Sequence, residues 1–245
     1  MEYLNRHTCL LFLINVCLIA CKSDVQTEAE ILKQQCPVLV ESNPLCKIVY
    51  DKNLTSTEKI AGMGFLYFTG QKNIQKDYVQ AFNLLNFAAQ QGDAEAINIL
   101  GMIYMNGAGR DQDFIKAEKY FMQASLLNEQ NAKNNLGTLY RKQKRNAEAE
   151  KWYLQGVADD PSKAYEGLSK LYVEQGKYEQ AYEYSIKASE YRNAEAEYNL
   201  GVFYEQGIHV EQSNAQAIYW YQRAASQGHQ DAAHNMRILS DKGAI

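Results

Sequence analysis

Ser56-Thr57-Glu58-Lys59 sets a lysine amine one helical turn from a serine hydroxyl, the Ser-x-x-Lys spacing with which penicillin-recognising serine enzymes activate a nucleophile. The companion Lys-Thr-Gly and Ser-Asp-Asn motifs do not occur, and Ser56 lies inside a helix-start signal, Thr55-x-x-Glu58. The tetrad is read as a cap, not as a catalytic site. His229 and His234 are five residues apart, about 140° around a helix, so they form no ligand pair; His7 and His209 stand alone. No Cys-x-x-Cys pair and no glycine-rich phosphate loop occur, since Gly107-x-Gly109 is explained by a repeat loop described below. No catalytic residue, metal ligand or cofactor is expected, and the chain is read as a binding protein rather than an enzyme.

The cysteines point to export. Cys9 to Ala20 is a nearly unbroken apolar run of twelve residues. As a helix it would span about 18 Å, short of the about 30 Å hydrocarbon core of a bilayer, so it fits the apolar region of a secretory signal. It ends in Leu18-Ile19-Ala20-Cys21, which resembles the lipobox of bacterial lipoproteins. That resemblance implies removal of residues 1–20, a lipid on Cys21 and a membrane-held protein facing the periplasm. Lys22 stands where an aspartate would signal inner-membrane retention, which in a host with two membranes implies the outer one. Cys36 and Cys46 remain as an even pair in an oxidising compartment, where they form either a bridge or two buried thiols.

A formal charge of −4 with both signs interspersed argues against nucleic acid as a partner, because phosphate binding needs a concentrated basic surface. Only three prolines occur, at 37, 44 and 161, and Ala, Gln, Glu, Leu and Lys are abundant, the composition of an all-α protein.

Three columns of residues recur along the chain. The first is a Leu-Gly-x-x-Tyr pattern at Met63-Gly64-Tyr67, Leu100-Gly101-Tyr104, Leu136-Gly137-Tyr140, Leu168-Ser169-Tyr172 and Leu200-Gly201-Tyr204. The second is Ala81, Ala117, Ala149, Ala181 and Ala217. The third lies seven residues further, at Ala88, Ala124, Gly156, Ala188 and Ala224, and these two columns step together by 36, 32, 32 and 36 residues. Small residues let paired helices approach, while Leu and Tyr four apart share one helix face. Five of the eighteen tyrosines are absorbed in this way, and others, including Tyr120, Tyr153 and Tyr221, fall on core positions of the second helix of each pair. Asp160-Pro161 marks a helix start, and Gly70, Gly92, Gly107, Gly176, Gly207 and Gly228 mark helix ends.

The pattern Ala-x-x-x-Leu-Gly-x-x-Tyr-x-x-Gly followed by Ala-x-x-Trp-Tyr-x-x-Ala-Ala-x-x-Gly, seen in full at Ala196 to Gly228, resembles the Sel-one-like repeat (SLR), a relative of the tetratricopeptide repeat. The third and fourth repeats lack four loop residues and look like plain tetratricopeptide repeats. The resemblance implies a right-handed α-α superhelix of about five antiparallel helix pairs over residues 56–243. Gln230 to Asp241 caps its end, after an anchor and capping segment at 21–55 that carries a helix and the Cys36–Cys46 turn.

The same resemblance implies a role in binding another protein or an extended peptide on the concave face, since such repeats are scaffolds. The inner-face positions map to Asn98, Asn131, Asn134, Asn135, Tyr198 and Asn199, with Arg141 and Lys170 nearby. Asparagine is a mediocre helix former, yet its amide offers a donor and an acceptor to a peptide backbone. Solvated polar filler explains the same residues equally well. Arg141 and Lys170 would attract an acidic side chain or a C-terminal carboxylate. The expected function is that of an envelope interaction scaffold. The alternatives are an immunity protein that neutralises a periplasmic toxin and, least of all, an enzyme acting on β-lactams or cell-wall material.

Overall fold

The computed structural model describes residues 27–36, 43–71 and 74–241. The apolar run at 9–20 and Cys21 lie outside the described residues. The chain divides into two compact units, one ending at Asp93 and one beginning at Ala94. The described residues hold thirteen α-helices and no strand.

The first unit contains α1 (Glu28–Gln35), α2 (Pro44–Val49), α3 (Ser56–Thr69) and α4 (Tyr78–Gln90). Each start is fixed locally. Thr55 and Glu58 form the expected capping box, in which Thr55 N donates to Glu58 Oε2 at 2.7 Å and Glu58 N donates to Thr55 Oγ1 at 3.2 Å. Ser56, the first residue of α3, is part of this helix start. A second box at Thr27 and Glu30, which the sequence reading passed over, starts α1. Asn43 caps α2, with Pro44 at its first position. α1 and α2 pack on α3, and α3 pairs with α4 around buried Ile60, Met63, Leu84 and Leu85. The Cys36 and Cys46 sulfurs stand 1.92 Å apart, and both residues are buried.

The second unit is a stack of helix pairs: α5 (Ala94–Asn106) with α6 (Phe114–Leu126), α7 (Ala132–Lys142) with α8 (Asn146–Gly156), α9 (Pro161–Glu174) with α10 (Tyr178–Glu190), and α11 (Ala194–Gln206) with α12 (Asn214–Ser226). α13 (Gln230–Asp241) packs on the last pair with Ala232 and Leu239 buried, the expected cap. The recurring columns form the seams. Ala117, Ala149, Ala181 and Ala217 are fully buried. Opposite each small residue of the Leu-Gly column lies the residue four past that alanine. A Cβ on Gly101 would meet the Phe121 ring at 2.6 Å, one on Gly137 would meet Tyr153 at 2.6 Å, and one on Gly201 would meet Tyr221 at 2.4 Å. Glycine is therefore required by close approach, not by backbone conformation. In the α9–α10 pair both partners are serines.

The first helices of successive pairs, α5, α7, α9 and α11, also pack on one another, whereas the second helices do so far less. That spacing places the first helices on the inner side of this unit. The long loops at 107–113 and 207–213 are closed by the chain itself: Gln112 Nε2 donates to Met105 O and Gln212 Nε2 to Glu205 O, each at 2.8 Å.

A polar pocket between α7 and α9

A pocket of about 290 Å³ opens between α7 and α9 on this inner side. Asn134, Asn135, Thr138 and Arg141 supply one wall, and Lys163, Glu166 and Lys170 the other. Its floor is the phenol of Tyr153, which reaches through from α8. The ring fits between Gly137 and Gly167, where an added Cβ would meet it at 2.6 and 2.2 Å. The residue is buried, and its hydroxyl meets Thr138 Oγ1 at 3.0 Å and accepts from Arg141 Nε at 3.4 Å.

The cations are already engaged. Arg141 Nη1 pairs with Glu174, and Lys144 reaches the other oxygen of that carboxylate at 3.2 Å. Lys170 Nζ lies 2.7 Å from Glu166 and 3.3 Å from Glu195. Lys163 Nζ donates to Asn131 Oδ1 at 2.6 Å. Burial opposes the charge on Arg141, but bonding to Tyr153 and Glu174 outweighs it and raises the guanidinium above its ordinary value. Lys170 behaves in the same way: burial disfavours its charge, and Glu166 and Glu195 more than restore it. Both side chains are held as cations facing the pocket.

The structure revises the roles expected for several inner-face residues. Asn98 and Asn134 are only 3% and 4% exposed, and of the two only Asn134 lines the pocket. Asn98 Oδ1 accepts from Asn135 Nδ2 at 2.8 Å, tying α5 to α7. Asn134 Nδ2 donates to Asp160 O at 3.2 Å, while its Oδ1 lies over Gly156 without a hydrogen-bond partner. Asn131 bonds Glu129 and Lys163. Tyr198 stacks on His229 at 4.5 Å and leans on Tyr221, sealing the seam with α13. Asn199 lines a separate cavity of about 100 Å³ with Val173, Tyr178 and Phe203. The pocket thus unites Asn134, Asn135, Arg141 and Lys170, and leaves Asn98, Asn131, Tyr198 and Asn199 outside its lining.

Thr138, Tyr153, Lys163 and Glu166 are pocket residues that the sequence reading missed. Thr138 and Lys170 occupy the same register in successive repeats, and Tyr153 follows Ala149 by one turn, so the signal lay in the repeat alignment. Among the described residues no cluster of side chains suits a metal ion. His229 is a cap: its Nδ1 accepts from Ala232 N at 3.2 Å, and its Nε2 lies 3.3 Å from Glu195.

Comparison with known proteins follows the repeat boundaries. The Sel1 repeat matches residues 60–93, 94–129 and 194–229, and a tetratricopeptide repeat matches 130–161 and 162–195. This is the long, long, short, short, long order read from the sequence. A Sel1 repeat protein from Oxalobacter formigenes superposes with a TM-score of 0.58 at 26% identity, over 75% of this chain and 76% of that one. A protective antigen of uropathogenic Escherichia coli with an SLR fold superposes with a TM-score of 0.57 at 27% identity, over 82% of this chain and 44% of that one. An immunity protein from Pseudomonas aeruginosa shares the fold, with a TM-score of 0.55 at 22% identity over 75% of this chain and 69% of that one. No curated protein matches the chain. With five contiguous matched repeats and seams built on their small-residue columns, the chain belongs to the family of Sel1 and tetratricopeptide helical repeats.

Proposed function

We propose that this protein is an exported, lipid-anchored interaction scaffold whose α7–α9 pocket anchors an extended segment of a partner protein. Repeat proteins of this kind bind other proteins. The observation that carries the reading is the pocket itself, with a phenol and three cationic side chains converging on a cavity open to the inner side. An incoming carboxylate can replace Glu174 on Arg141 or Glu166 on Lys170 without leaving a cation unpaired. That exchange favours acidic segments and makes binding sensitive to salt. The lipid anchor on Cys21 and the periplasmic placement follow from the lipobox resemblance alone.

Partner capture from crosslinked cell envelopes tests the scaffold. An Arg141→Ala, Lys170→Ala variant should lose the partner at temperatures where its melt shows it still folded, although the lost ion pairs lower its melting temperature. Capture by the variant at the wild-type level would remove the pocket from the function. Intact mass of membrane-extracted protein tests the anchor, and an unmodified Cys21, or cleavage elsewhere, would end that part of the reading. The immunity reading shares this fold but has no residue-level support, and a toxin encoded beside this chain would be needed to raise it.

A further inference from the structure

The first unit carries a second cavity, of about 500 Å³, between α1 and α4. Gln34 and Gln35 line it from α1, and Gln80, Asn83, Asn86 and Gln90 line it from α4. Ile31, Leu84 and Phe87 form an apolar floor, and among the described residues no charged side chain lines it. This lining differs in kind from the charged α7–α9 pocket.

The absence of charge extends to the whole of α4. Its thirteen residues, Tyr78 to Gln90, include no Lys, Arg, Asp or Glu, although Val79, Gln80, Asn83 and Gln90 are exposed. The register of Asn83 is held by Lys119, Lys151 and Glu183 in the next three repeats. A face that served only to stay wet would gain from those residues, because Lys and Glu are better helix formers than Asn. Two asparagines one turn apart in a helix interior carry a cost that solvation does not require. Nor do they serve the fold: among the described residues, the amides of Gln34, Gln80, Asn83, Asn86 and Gln90 have no hydrogen-bond partner. Gln35 is the exception. Its Oε1 accepts from Tyr67 OH at 2.9 Å, which fixes the amide and leaves its N–H groups to donate.

A primary amide carries the same donor and acceptor pair as a peptide group. An extended chain presents N–H and C=O groups along both edges, and its side chains alternate above and below. Two facing amide walls over a narrow apolar floor match that pattern. A charged ligand would find no counter-charge here. We propose that the α1–α4 groove receives a neutral, extended peptide segment of another protein. In this arrangement the amides of both walls pair with its backbone, and one apolar side chain rests on Ile31, Leu84 and Phe87. The site is independent of the α7–α9 pocket.

Linear twelve-residue peptides displayed on phage, selected on the full chain, provide the probe. Enriched peptides are then titrated against wild type, an Asn83→Ala, Asn86→Ala, Gln90→Ala variant and the Arg141→Ala, Lys170→Ala variant, each checked by thermal melting. The alanines raise helix propensity, so the triple variant should melt no lower than wild type. The expected result is neutral peptides that bind the triple variant at least tenfold more weakly and bind the Arg141, Lys170 variant normally. Equal binding to the triple variant, enrichment of charged peptides only, or no enrichment would overturn the proposal. A panel of neutral oligosaccharides run alongside covers the other ligand class: a glycan bound by wild type and lost in the triple variant would also overturn it.

Discussion

Ser169 and Ser185 share a hydrogen bond of 2.7 Å inside the α9–α10 pair, at the seam where the flanking pairs set a glycine against an aromatic ring. Both residues are buried, at 1% and 0% exposure. Removing one hydroxyl strands the other away from water. Ser169→Ala and Ser185→Ala should each cost about 1–3 kcal/mol, and the double alanine variant should cost less than the sum. Urea midpoints for the four proteins measure this, and strict additivity would mean that the bond contributes nothing.

The slot for Tyr153 should be equally exacting. Gly137→Ala and Gly167→Ala force a methyl into the ring, and each should destabilise by about 1–3 kcal/mol. Tyr153→Phe keeps the ring and removes only the hydroxyl that meets Thr138 and Arg141 at the pocket floor. It should change stability by about 1 kcal/mol and weaken partner capture. Unaltered capture with an unaltered melt would show that the phenol only fills space.

Glu197 is fully buried and held by Arg223, at 2.6 Å from Nη2, and by Gln227 Nε2, also at 2.6 Å. Arg223 in turn donates from Nη2 to Ser189 O at 3.2 Å, linking α12 to α10. Arg223→Ala leaves a buried carboxylate with one neutral donor and should cost about 3–5 kcal/mol. Adding Glu197→Gln should recover part of that loss. A melt of the Arg223 variant matching wild type would mean that water reaches Glu197.

Cys36 and Cys46 have their sulfurs side by side at a sequence separation of 10, and a bridge between them would close a short loop. Peptide mapping without reductant should find one linked peptide. Reduction should then cost about 2–3 kcal/mol, felt in the first unit and not in the Ala94–Asp241 stack. Two free thiols in natively purified protein would refute the bridge.

Alkaline pH should destabilise the fold through its buried phenols. Burial and the bond to Glu118 push Tyr140 up to about 12; burial and the bond to Tyr204 do the same for Tyr182. An unfolded tyrosine ionises near pH 10, so the folded state holds these protons longer. Their stabilisation is complete below about pH 10 and is lost as pH rises from about 10 to 12. Urea midpoints across that window should fall, and Tyr140→Phe with Tyr182→Phe should make the fall shallower. An identical slope in the double variant would assign the loss to other groups.

The sequence by itself determined the helix pairs of the repeats and several of their ends, because those signals are short in range, while the Pro44–Val49 helix and the Thr27 cap emerged only in the structure. The Thr55–Glu58 cap spans three residues, and the columns begun by Ala81 and Ala88 keep a constant seven-residue offset in every pair. The closing helix at Gln230–Asp241 was legible for the same reason. The tertiary structure alone decided which inner-face side chains line the pocket and which are taken up by the protein. Asn98 is consumed by Asn135 and Asn134 by Asp160, partners in the neighbouring helix pair, while Tyr198 is consumed by His229 at the foot of the cap. An asparagine on an inner-face register is chemically the same residue whether it faces water or the next repeat. Only the spacing between stacked pairs, set by contacts such as Tyr153 lodged between Gly137 and Gly167, settles which it meets.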